Sequence, residues 1–183
     1  MTLNTRELLQ DTYDLHVYGT FSLDKERLQQ IQERRSELKF LPANKSEPTP
    51  EFMGLELDVL QAIYLCRSLK ENFKIVALPT PIRYWVPQIS EEEAFEIAKI
   101  EHLRVIQNDP ELQLGPLTDK VFGRSYQMYG VAYGFNCANI KAQLAGYVPG
   151  TWWVHVDMVD GTVWTDNQLD ARKLICYLAR GDS

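Results

Sequence analysis

Cys137, His155 and Asp166 are the side chains of this sequence whose types and spacing could do covalent chemistry together. A thiol attacks as its thiolate, an imidazole can take the proton, and a carboxylate beside that imidazole can orient it. The spacing predicts that Asn136 caps a short helix over residues 137–145, which Gly146 ends. Cys137 then stands at a helix start, where the dipole lowers a thiol pKa. Nine helical residues carry the chain about 14 Å away, and five extended ones bring it back about 17 Å. His155 returns to the level of Cys137. In this arrangement Cys137 is the nucleophile, His155 the base and Asp166 its orienter, with Asp157 as the other carboxylate that could serve.

The element that must position His155 and the carboxylates is the stretch Gly150–Asp166. It reads as two strands joined by an Asp160-Gly161 turn, a pair suited to the positive φ angles of a type I′ hairpin. That register sets Met158 opposite Val163, Asp157 opposite Trp164 and His155 opposite Asp166. One face carries Trp152, Val154, Val156, Met158 and Val163, and is predicted to be core. The other carries Trp153, His155, Asp157, Trp164 and Asp166. His155, Asp157 and Asp166 could together hold a divalent ion, but a polar pair on a solvent face explains them, and no metal is expected. The sequence has no G-x-x-x-x-G-K-[ST], G-x-G-x-x-G or H-E-x-x-H motif, and no cofactor is expected.

Residues 121–164 hold nine of the chain's twenty aromatics. If Trp153 and Trp164 stay exposed, with Asp157 between them and Tyr129 and Tyr133 on the preceding strand, they form a patch of the kind that anchors a partner. Acids rim it. Separately, residues 90–111 carry seven acids against Lys99 and Arg104, a net −5 within a chain of net charge −6, which reads as a solvated helix face or else as an acidic docking surface for a basic partner. An acidic chain without a basic stripe is a poor ligand for nucleic acid. No apolar run is long enough to span a membrane, and the first residues lack the order of a signal peptide. Three widely spaced cysteines, Cys66, Cys137 and Cys176, suggest a reducing, cytoplasmic setting.

Elements read in order as a strand over residues 15–21 and a surface helix from Ser22 or Asp24 to Leu38. A helix then opens at Thr49-Pro50 and runs to Glu71 with Cys66 on its apolar stripe. A strand over residues 74–78 resumes at 82–86. Ser90 and Glu93 form a capping box for a helix that Asp109-Pro110 stops, with His102 on its surface. A strand with a bulky face (Tyr129, Val131, Tyr133, Phe135) and a bare one (Gly130, Ala132, Gly134) precedes the Asn136 helix and the hairpin. The last helix runs from Asp166 or Asn167 to Arg180-Gly181, with Leu169, Leu174, Ile175 and Leu178 inward. The expected fold is one α+β domain over residues 1–183: an antiparallel sheet with a C-terminal β-hairpin and four to five helices packed on it.

The string Gly134-Phe135-Asn136-Cys137-Ala138-Asn139, followed by His155-Val156-Asp157-Met158-Val159-Asp160-Gly161, resembles the papain-like amidases over about a fifth of the chain. The 18-residue interval from Cys137 to His155 is shorter than those families use. The resemblance implies a cysteine hydrolase working through Cys137, His155 and Asp166. The expectation placed ahead of it is a cytoplasmic binding or adaptor protein. It recognises a protein partner or small ligand through an aromatic, acid-rimmed surface in residues 126–166.

Overall fold

Tyr13 and Leu15 flank Asp14, and this alternation gives the chain its first strand. The computed structural model describes residues 5–18, 25–41, 52–118, 130–148 and 150–181. The chain divides into two compact units, Leu3–Ile82 with Asp170–Ser183, and Arg83–Leu169. The fold is α+β, with antiparallel sheets and a C-terminal strand pair.

In the first unit β1 (Tyr13–Tyr18) lies between β3 (Phe52–Leu57) and β4 (Val76–Pro81), with β2 (Phe40–Leu41) beyond β3. Tyr13, Leu15 and Ala77 look to one side of this sheet. There they meet Ile31 of α2 (Lys25–Arg34), Ala62, Leu65, Cys66 and Leu69 of α3 (Val59–Phe73), and Ile175 and Ala179 of α6 (Asp166–Arg180). Each fully buried Leu or Ile of this core is worth roughly 1.5–3 kcal/mol. A short helix, α1 (Thr5–Gln10), precedes β1.

Two expectations change here. Residues 49–51 lie outside the described residues, and residues 52–57 are strand, not helix. Phe52 and Leu55 suit either period, but Asp58 is the true helix start: it accepts from Gln61 N while Gln61 returns the bond to Asp58 N. On α6, Leu174 and Leu178 are exposed, and Arg172, Ile175, Cys176 and Ala179 face inward. Arg172 sets that rotation. Its guanidinium is fully buried, and Nη1 donates to the Pro79 carbonyl at 2.5 Å.

In the second unit β5 (Ala132–Ala138) pairs antiparallel with β6 (Thr151–Asp157), and α5 (Ile140–Leu144) lies between them in sequence. α4 (Glu91–Asn108) begins at the Ser90–Glu93 capping box and stops at Asp109, as its sequence predicts. Its Phe95 ring lies 5.4 Å from that of Phe135, and Ala94 and Ala98 are fully buried. Residues 82–84, expected as strand, form one 3-10 turn instead. His102 is buried rather than exposed, and its Nε2 donates to the Gly115 carbonyl at 3.0 Å. Leu114 bridges Asn139, and Gly115 N and Thr118 N donate to Ala138 O and Asn136 O, so residues 114–118 follow the outer edge of β5. Among the described residues, no helix is long and apolar enough to cross a membrane.

Candidate functional site

Opposed residues of an antiparallel pair share a face. Gly134 faces His155 and Asn136 faces Trp153, while Phe135 faces Val154 and Cys137 faces Trp152. His155 and Cys137 therefore point to opposite sides of the same two strands, and the nucleophile–base pair is not assembled. Cys137 sits inside β5 and not at a helix start, because the cap lies at Asn139, whose side chain accepts from Ala142 N. Burial pushes the Cys137 thiol up to about 11, the reverse of activation.

The turn after β6 differs from the expected type I′. Only Gly161 has positive φ, and the reversal takes four residues, 158–161, with Gly161 N donating to Asp157 O at 3.2 Å. Val163 bridges Val156, and Trp164 N donates to His155 O at 2.9 Å. The register slips by two residues. A two-residue slip keeps every side chain on its expected face, so Trp164 remains with His155 and Asp157. Val156 and Met158 are fully buried and Asp160 is exposed, as the alternation requires.

Asp157 causes the wider turn. It is 0% exposed, and its Oδ1 accepts from the amides of Val159 at 2.8 Å and Asp160 at 3.2 Å. Its Oδ2 accepts from Tyr84 Oη at 2.6 Å and Trp164 Nε1 at 2.9 Å. Four donors compensate a carboxylate that burial would otherwise penalise. Two expected surface residues are thus interior ones, because a second layer covers this face: Asp157 is the hub and Trp164, 5% exposed, is tied to it. Tyr133 is likewise buried, donating through Oη to Ile89 O at 3.0 Å. Tyr129 lies outside the described residues.

Trp153 is half-buried, its ring parallel to that of His155 at 6.0 Å between centroids. The bare face at Gly134 serves this pair. A Cβ there would meet His155 Nδ1 at 3.3 Å and Trp153 Cζ3 at 3.6 Å.

A cavity of about 510 Å³ opens beside them. It is lined by Trp152, Trp153, Val154 and His155 of β6, by Val163, Trp164, Thr165, Asp166 and Leu169, and by Glu101, Arg104 and Val105 of α4. Successive strand residues point to opposite faces. A cavity that touches four in a row therefore lies along the strand's edge, and this one follows β6 on the side away from β5. At its mouth Glu101 accepts from Arg104 Nε at 2.7 Å and Nη2 at 2.6 Å. Asp166 is exposed in the first turn of α6, beside Thr165, which caps the helix reciprocally with Gln168.

His155, Asp166, Trp153 and Trp164 are thus brought together around one cavity, and Cys137 is not. The sequence reading missed Glu101, Arg104, Thr165 and Leu169 as wall residues. The one signal was the i, i+3 spacing of Glu101 and Arg104, which marks an ion pair on a helix face but not what the face borders. Among the described residues, no cluster of three His, Cys, Asp or Glu side chains could hold a metal ion. No family model matches the chain, and neither a curated protein nor a solved structure matches it.

Proposed function

We propose that this chain is a binding protein that takes its ligand, a small molecule or a segment of a protein partner, in the cleft along the outer edge of β6. One observation carries the reading: three of the four tryptophans converge on a single cavity of about 510 Å³. That volume falls within the range of roughly 300–1,000 Å³ typical of ligand sites. Aromatic walls with a few charged groups suit recognition, because indoles supply large contact area at low conformational cost. Glu101 and Asp166 line the same cavity as the three indoles, which supports a ligand with a complementary charge. The reading includes a reducing, cytoplasmic setting, in keeping with three unbridged cysteines.

The test is a titration of the ¹⁵N-labelled chain with neutral aromatic, cationic and anionic fragments and short peptides, read at the indole N–H signals. Binding in the cleft moves the signals of Trp152 and Trp153 and leaves Trp85 in place. A set in which nothing moves those two, or which moves Trp85 equally, overturns the reading.

A further inference from the structure

A ligand along the edge of β6 meets two different walls. Trp152 and Val154 stand on one side of the strand, and Trp153, His155 and Trp164 on the other. An extended peptide presents its side chains alternately to two sides, so it matches a groove divided in this way; a compact molecule engages one wall at a time. The outer edge of β5 is followed by residues 114–118, and among the described residues the outer side of β6 is paired at Val156–Val163, flanked by Asp157 N to Thr162 O and Trp164 N to His155 O. The cavity runs along this side of β6, past Trp152 and Trp153.

The charges add a second constraint. Arg104 is neutralised locally by both oxygens of Glu101, which leaves Asp166 as the net charge of the wall. Residues 90–111, which supply the α4 wall, carry the −5 balance of acids over bases. A negative field over indole faces attracts cations, through Coulomb attraction and through the ring quadrupole.

We infer that the cleft binds an extended peptide segment carrying a basic side chain, which is held between the indoles and Asp166. This rests on the reading of the cleft as the ligand site. Strand-edge grooves with alternate side-chain pockets are an established mode of peptide recognition.

The experiment uses the full chain and blocked hexapeptides of alternating valine and serine, with Arg, Glu or Ala at one central position, and argininamide as the isolated cation. The Arg peptide should saturate the Trp152 and Trp153 signals at a concentration about tenfold below that of the Glu peptide. Raising salt, or the variant Asp166→Asn, should weaken the Arg peptide by about threefold or more and leave the Ala peptide unchanged. Arg104→Ala should not weaken it. Equal binding of the Arg and Glu peptides overturns the charge selection, and argininamide binding as tightly as the peptide overturns the peptide. If neutral aromatic fragments still move the two indoles while no peptide does, the inference falls and the proposed function stands. If nothing moves them, both fall.

Discussion

The edge strands β4 and β6 handle their outer sides in opposite ways. β4 closes its edge. Pro79 and Pro81 lie two residues apart and so offer no N–H on the same side of the strand. The Pro79 carbonyl on that side is taken by the buried guanidinium of Arg172. Ile82 N, on the other side, continues the ladder to Thr12 O at 3.0 Å. Over residues 79–81 the outer edge lacks two donors and has the Pro79 carbonyl capped, so this stretch is a poor template for another strand. β6 carries no proline, and its outer side borders a cavity walled by indoles. One edge is blocked over its prolines, and the other borders a cavity.

The largest test of this contrast is Arg172→Ala. It leaves the Pro79 carbonyl without its donor and a void where a large side chain stood, at a cost of about 3–5 kcal/mol to the first unit in urea unfolding. A loss below about 1 kcal/mol would mean that the carbonyl needs no such cap.

The next largest effect comes from pH. Asp14, on β1 opposite Thr80 of β4, is raised to about 6 from 3.8, chiefly by burial. The backbone hydrogen bond from Leu55 N pulls the other way, and Glu56 adds to the rise. A carboxyl with a raised folded pKa binds its proton more tightly when folded. Its contribution is fully present below pH 3.8 and lost as pH rises through about 6. The loss amounts to at most about 3 kcal/mol. Asp14→Asn should remove this slope, matching the parent at pH 3 and exceeding it at pH 8. Parallel stability curves for the two chains would reject the assignment.

The smallest effect is expected at the turn that follows β6. Asp157→Asn keeps the Oδ1 acceptor for the turn but sets an NH₂ against the donors of Tyr84 and Trp164. It should cost about 2 kcal/mol in the second unit, with a change in tryptophan fluorescence as Trp164 loosens. An unchanged spectrum and midpoint would show that the turn alone holds Trp164.

What could be read in advance was what is local. The Ser90 and Glu93 capping box, the stop at Asp109-Pro110 and the Gly146 and Gly181 helix ends, all set by nearest neighbours, appear where the sequence put them. The faces of residues 152–158 were legible too, because alternation survives a two-residue slip. The strand at 52–57 was not, since it exists through pairing with β1, far away in the chain. The helix start near Cys137 went wrong because Asn136 and Asn139 are equally good caps, and only the β6 partner extends β5 past Cys137. The candidate site suffered most. A face that a hairpin pattern marks as outward becomes interior when Tyr84 closes over Asp157, and Tyr84 lies far outside the alternating stretch that defines the face.

The three thiols have a consequence of their own. Cys66 and Cys176 belong to the first unit and Cys137 to the second, and all three are at most 2% exposed. A thiol so covered meets an alkylating reagent only while its surroundings are transiently open. The chain therefore carries built-in clocks. The alkylation rates of Cys66 and Cys176 measure how often the first core breathes, and that of Cys137 measures the second. Whether the two halves breathe together or apart can be timed in the native sequence, with no label added.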